Sequence, residues 1–102
     1  MATYTFTRSA QNDLRDIAIY TSKQWGRDQA FKYAGDLDQC FEAIVNGHII
    51  EKAVSKNTPD IFYHRMQKHI IFYQKLENND LIILAILHEK MDLMKRLQDR
   101  LK

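Results

Sequence analysis

The chain has little of what holds unusual small proteins together. Its 102 residues include one cysteine, one proline, three glycines and one tryptophan. Cys40 alone cannot close an internal disulfide, and four histidines with that one thiol offer no zinc-ligand spacing. So few prolines and glycines exclude collagen-like and linker-rich classes. No stretch approaches the ~18 consecutive apolar residues of a membrane span. Met1-Ala2-Thr3-Tyr4 lacks the charged and apolar blocks of a secretory leader, so a cytoplasmic protein is expected. Neither a metal nor a cofactor is expected.

What is present is the mixture of a globular domain, 45% hydrophobic and 27% charged. The length suits one domain over 1–102, large enough to bury roughly two thirds of its unfolded surface and too short for a second core. The net charge of +2 is unevenly spread: residues 1–50 carry five Lys/Arg against six Asp/Glu, residues 51–102 ten against seven. That skew permits an acidic partner on the C-terminal half. It lacks the dense basic stripe of a dedicated nucleic-acid binder, so direct specific nucleic-acid binding is not expected.

Alternating β-branched and aromatic residues over Thr3–Arg8 predict a short strand. Ser9 stands at an N-cap position, with Asp13 and Asp16 early in the helix that follows. Ala10, Leu14, Ile17, Ala18, Thr21 and Trp25 share one face of that helix, which places Trp25 in the core, and Gly26 ends it. Asp28 restarts the pattern, and Ala30, Tyr33, Leu37, Cys40, Phe41 and Ile44 form a second stripe that stops at Asn46-Gly47. Two such helices so closely joined fold back as a hairpin. Cys40, on the apolar face, reads as a small core residue.

Residues 48–57 read as an irregular connection closed by Pro59. Strands follow over 61–63, 69–73 and 81–87, with Glu77-Asn78-Asn79-Asp80 as a turn. The 81–87 run lacks alternation, as a central strand covered on both faces does. Met91, Met94, Leu97 and Leu101 then mark a short C-terminal helix, amphipathic and basic through Lys90, Lys95, Arg96, Arg100 and Lys102. The order β-α-α-β-β-β-α defines an α+β fold, an antiparallel sheet packed against a two-helix hairpin. The sequence does not reveal where the N-terminal strand joins the sheet.

Several segments of this pattern resemble the ParE branch of the RelE/ParE toxin superfamily. They are Ala10…Asp13-Leu14…Ile17…Tyr20, Trp25-Gly26 with Gln29-Ala30 and Tyr33, the strand His69-Ile70-Ile71-Phe72-Tyr73, and Ile86-Leu87-His88 followed by Met91-Asp92. The blocks occur in order over residues 4 to 92. The resemblance implies a RelE/ParE-like fold and a bacterial toxin of a type II toxin–antitoxin module, of the kind tied to plasmid stabilisation. It further implies inhibition of DNA gyrase by binding and neutralisation by a cognate antitoxin, in a hetero-oligomer or with a homodimer. The family pattern commonly has Arg before the Ile-Leu-His triplet, where this chain has Ala85. A toxin that has lost activity is therefore one alternative reading.

Another alternative is RelE-like cleavage of mRNA on the ribosome, which needs a general base, a general acid and a cation. His64, Arg65, Lys68 and His69 cluster within six residues, and His88 closes a neighbouring strand. On one continuous strand Arg65 and His69 would project together, with His64 and Lys68 on the other side. The blander reading has His69 and His88 bracing the sheet through backbone carbonyls. No catalytic residue is therefore assigned. His64, Arg65, Lys68, His69, His88 and Lys90 are candidate target contacts. Ile19 and Phe31, which fall off their helical stripes, and Trp25 at the hairpin turn are candidate antitoxin contacts.

Overall fold

In the computed structural model, which describes residues 2–101, Thr7 both ends the first strand and starts the first helix. Strand β1 (Tyr4–Phe6) leads into helix α1 (Arg8–Trp25). The Thr7 hydroxyl accepts from the Ala10 N–H at 3.1 Å and donates to the Leu84 carbonyl at 3.3 Å. The strand is thus shorter than the pattern over Thr3–Arg8, and the cap is Thr7 rather than Ser9. Thr7 is the residue with extended backbone (φ −67, ψ 162), the conformation from which a side chain caps a helix.

Gly26, at φ +93, closes α1 and opens α2 (Arg27–Val45) within a single residue. Only glycine enters that backbone region without a steric penalty, which is why so short a joint works here. The hairpin forms as expected, and Asn46-Gly47 stops α2.

The sheet has five strands in the order β1-β5-β4-β3-β2, with β2 (Lys52–Ser55), β3 (Thr58–Met66), β4 (His69–Lys75) and β5 (Leu81–His88). β1 lies parallel to β5 at one edge, and the remaining pairs are antiparallel. β2 falls within the segment expected to be irregular. Lys52-Ala53-Val54-Ser55 is a short, half-exposed edge, and such a strand leaves no apolar alternation to read. Pro59 lies inside β3 rather than before it. It is tolerated because the β2–β3 register shifts between Ala53 and Ser55, and pairing with β4 begins only at Ile61. The expected β4–β5 turn is present, with Asn78 at φ +68 and Asn79 at φ +66.

Each face of the sheet carries its own core. On the hairpin face Leu37, Phe41 and Ile44 of α2 and Ala10 of α1 pack on Ile71, Tyr73, Ile83 and Ile86. On the opposite face Ile61, Ile70, Phe72, Leu84 and Leu87 meet Leu97 of a short helix α3 (Leu93–Arg100). β5 is covered on both sides, as its unbroken apolar run implied. Its alternation is reset by a β-bulge: Tyr73 pairs with Ile83 and Phe72 with Ala85, which leaves Leu84 as an extra residue. Leu84 and Ala85 both join the α3-side core. Ala85 is fully buried there, across from Phe72.

α3 departs from the stripe read in the sequence. Asp92 caps it, its carboxylate accepting from the Lys95 N–H at 3.3 Å, so Met91 precedes the helix. Leu97 and, in part, Leu93 are the buried anchors, while Met91, Met94 and Leu101 stay exposed, because two turns of helix fit only one pair at i, i+4 against the sheet. Lys102, counted among the basic residues of this helix, lies outside the described residues, as does Met1 of the N-terminal segment.

Past Phe6 the outer edge of β5 has no strand beside it, and α1 supplies the missing partners. The Thr7 N–H bonds the Ile83 carbonyl at 3.1 Å, and the Asp13 carboxylate accepts from the Ile86 N–H at 3.0 Å. Asp13 also holds Arg100 of α3 in a two-toothed ion pair at 2.8 and 2.9 Å, fastening α3 to α1. No described helix is long and apolar enough to cross a membrane.

Candidate functional site

The hairpin packs on the sheet near its base and stands clear of it near its tip. Under the tip lies an open groove of about 730 Å³. α1 contributes Tyr20, Thr21 and Trp25, and α2 contributes Gln29 and Tyr33. Gln67 and Lys68 come from the β3–β4 turn, His69 from the start of β4 and His88 from the end of β5. Tyr20 and Trp25 are 62% and 71% exposed, two large rings displayed on the rim. The expectation that Trp25 is core is therefore corrected. Its helical face is the apolar one, but at that turn of the helix no sheet lies beneath it.

The groove floor is built from Tyr33, His69 and His88. The Tyr33 hydroxyl lies 2.5 Å from His69 Nδ1. Burial raises the Tyr33 pKa and keeps the phenol protonated. Burial, then the neighbouring His88, lowers the His69 pKa to about 4, so its ring is neutral at pH 7 and Nδ1 accepts from Tyr33. His88 pairs with His69 across β4 and β5, the two rings edge to face at 5.3 Å. The Nδ1 of His88 accepts from the Lys90 N–H at 3.1 Å. The histidines do brace the sheet end, but through a phenol and a backbone N–H rather than through the carbonyls expected of them.

The structure reverses the faces expected for the four clustered residues. Gln67 and Lys68 form a tight turn, Gln67 at φ +54, so His69 starts a new strand opposite Met66. Residues paired across strands share a face. His64, opposite Ile71, therefore shares the hairpin face with His69, opposite Met66, while Arg65, opposite Ile70, lies on the α3 face. Arg65 forms an ion pair with Glu89 and donates from Nε to the Gln67 carbonyl at 3.0 Å. The His64 pKa is lowered by partial burial and by Lys52. Of the candidate target contacts, Lys68, His69 and His88 meet in the groove; His64, Arg65 and Lys90 do not line it. Of the candidate antitoxin contacts, Trp25 lines it, while Ile19 and Phe31, 47% and 70% exposed, lie elsewhere on the hairpin.

Tyr20, Thr21, Gln29, Tyr33 and Gln67 line the groove without having been singled out for function. Tyr33 did appear in the α2 stripe, but a period of 3.6 says nothing about which strand end a phenol will reach. Among the described residues no group of three or more His, Cys, Asp or Glu is placed to hold a metal. Cys40 is half-buried and its thiol pKa is raised by burial, in keeping with a core role.

Residues 4–93 match the family model for the ParE toxin of the type II toxin-antitoxin system parDE. The chain belongs to the ParE toxin family. It is 37% identical over 102 residues to Toxin ParE of Escherichia coli, covering 100% of this chain and 99% of that protein. Toxin ParE1 of Caulobacter vibrioides is 30% identical over 98 residues, covering 90% and 94%. Toxin ParE1 of Mycobacterium tuberculosis is 26% identical over 94 residues, covering 92% and 96%. Among solved structures, the chromosomal ParDE system from P. aeruginosa superposes with a TM-score of 0.67 at 18% identity, covering 86% of this chain and 95% of that one. The M. tuberculosis RelBE2 toxin–antitoxin complex gives 0.54 at 18% identity, covering 85% and 96%. Both share the fold seen here.

Proposed function

We propose that this ParE-family toxin acts in the cytoplasm by binding DNA gyrase and blocking replication, with no bond-making chemistry of its own, and that a cognate antitoxin neutralises it. The observation that carries the reading is the full-length match to Toxin ParE of E. coli. The geometry supports binding over catalysis. A ribonuclease needs a base, an acid and a cation around one phosphate. Here Arg65 and His64 lie on opposite faces of the sheet, and Arg65 is paired with Glu89. His69 and His88 have both committed Nδ1 to internal partners.

Ala85 bears on the same question. A long charged side chain at this position would have to leave a fully buried site beneath α3. Whatever contact an Arg makes in other family members, this chain must act without it.

The test is a gyrase supercoiling assay with the purified chain, scoring cleaved plasmid on the same gel. Inhibition with accumulation of linear DNA is expected. Unchanged supercoiling, together with cleavage of ribosome-bound mRNA, would replace gyrase poisoning with endonuclease activity. Silence in both assays would leave a toxin without activity. The antitoxin half is checked by co-expressing the cognate antitoxin, which is expected to restore growth and to co-purify with the chain.

A further inference from the structure

We infer that the groove under the hairpin tip receives an aspartate or glutamate side chain of the antitoxin, with an apolar neighbour of that residue laid on Trp25 and Tyr20. The inference rests on the antitoxin reading above and goes further by naming the place and the chemistry.

It comes from an imbalance between donors and acceptors. Three carboxylates approach this end of the sheet, and each already has a partner. Asp13 holds Arg100 and the Ile86 N–H, Asp36 accepts from the Gln67 side-chain amide at 3.1 Å, and Glu89 pairs with Arg65. Lys68 is exposed, and no described side chain gives its ammonium an acceptor. His69 and His88 each accept at Nδ1, which leaves the Nε2 N–H of each ring to give. Thr21 and Gln29 can donate or accept. The groove thus presents a cation and two ring donors with no free carboxylate to answer them, and a carboxylate from outside makes charge-assisted bonds with them.

The rim fits the rest of such a segment. Tyr20 and Trp25 are rigid, amphipathic rings of the kind that anchor protein interfaces, and both stand exposed beside the donors. A nucleic acid would also bring acceptors. Its evenly spaced phosphates call for a row of cations, however, and Lys68 is the single Lys or Arg lining the groove. The occupant that fits is an acidic, partly apolar peptide segment. Because Lys68, His69 and His88 are also candidate target contacts, a filled groove would withhold them from the target, so neutralisation here is occlusion of a shared surface.

The test measures the Kd of the purified antitoxin for variants of the full chain. Lys68→Met is expected to weaken binding about ten- to a hundredfold, the scale of a lost hydrogen bond to a charged group. Lys56→Met, in the β2–β3 turn, removes the same charge far from the groove and should leave the affinity unchanged. Each Asp and Glu of the antitoxin's toxin-binding segment is then neutralised in turn, in both the native and Lys68→Met backgrounds. One of them should lose most of its effect once Lys68 is gone. Binding indifferent to Lys68→Met would overturn the groove assignment while leaving the antitoxin reading intact. A loss that no antitoxin acid shares would overturn the carboxylate, as would displacement of the antitoxin by a single-stranded RNA oligonucleotide acting through Lys68. No binding by the unmodified chain would sink both readings together.

Discussion

The two ends of the helical hairpin are made from similar residues and put to opposite use. At the base, Tyr4 and Phe6 of β1 close on Phe41 with ring centroids 5.6 and 5.3 Å away, and Phe41 is fully buried. At the tip, Tyr20 and Trp25 are mostly exposed over a groove floored by Tyr33, His69 and His88. The charge differs as well. A hollow of about 520 Å³ at the base includes Tyr4, Asp38, Glu42 and His48 in its lining, whereas the tip offers Lys68 and ring donors. The same amphipathic pattern therefore serves cohesion where a sheet lies beneath it and display where the helices outrun the sheet.

Paired substitutions break that comparison most sharply. Phe41→Ala at the base should lower stability by about 3–5 kcal/mol, since it empties a closed aromatic cluster. Trp25→Ala at the tip should change stability by no more than about 0.5 kcal/mol while impairing antitoxin binding. Urea denaturation of both variants decides the matter, and a large loss with Trp25→Ala would mean the tip is structural after all.

Asp13→Asn probes what holds α1 to α3. It removes the ion pair with Arg100 and weakens the bond to the Ile86 N–H, so a loss of about 1–3 kcal/mol is expected. A double-mutant cycle with Arg100→Met should show strong coupling between the two. Independent, additive effects would mean that α3 is held by Leu97 alone.

The smallest expected effect is a pH dependence belonging to the tip. His69 has its pKa lowered to about 4 from an ordinary 6.5, so between these values the unfolded chain binds more protons than the folded one. Its contribution to stability is full above pH 6.5 and declines as pH falls toward 4. Denaturation at pH 7 and pH 4.5 should show this decline and show less of it in His69→Gln. In parallel, the His69 ring resonances should stay put by NMR until the pH nears 4. Titration near pH 6.5 would contradict the buried Tyr33–His69 contact.

Much of this contrast is legible in the sequence. The two helical stripes, Gly26 between them, Asn46-Gly47 after them and the apolar strands at 69–73 and 81–87 all follow from periodicity and turn chemistry, which are local. What escaped was settled by tertiary neighbours. Lys52–Ser55 became a strand because β3 offered it an edge. Trp25 was left outside because the sheet ends before the helix does. His64 and Arg65 were placed on the wrong sides relative to His69 because Gln67-Lys68, without glycine, gives little sign of a tight turn. The groove is half visible in the sequence: Lys68, His69, His88 and Trp25 stand out there, but nothing in their spacing brings Trp25 to the other three.

The bulge at Leu84 shows how fine the control of that meeting is. A strand is a code of period two, and the bulge absorbs one supernumerary letter: Leu84 and Ala85 share a face, and the side chains after them stay in phase with β4. Were Leu84 to pair with Phe72 in a regular ladder, His88 would point toward α3, and His69 would have no imidazole beside it. The display surface of this toxin is thus written partly as phase: it lasts only while Leu84 stays out of the ladder and Ala85 faces Phe72.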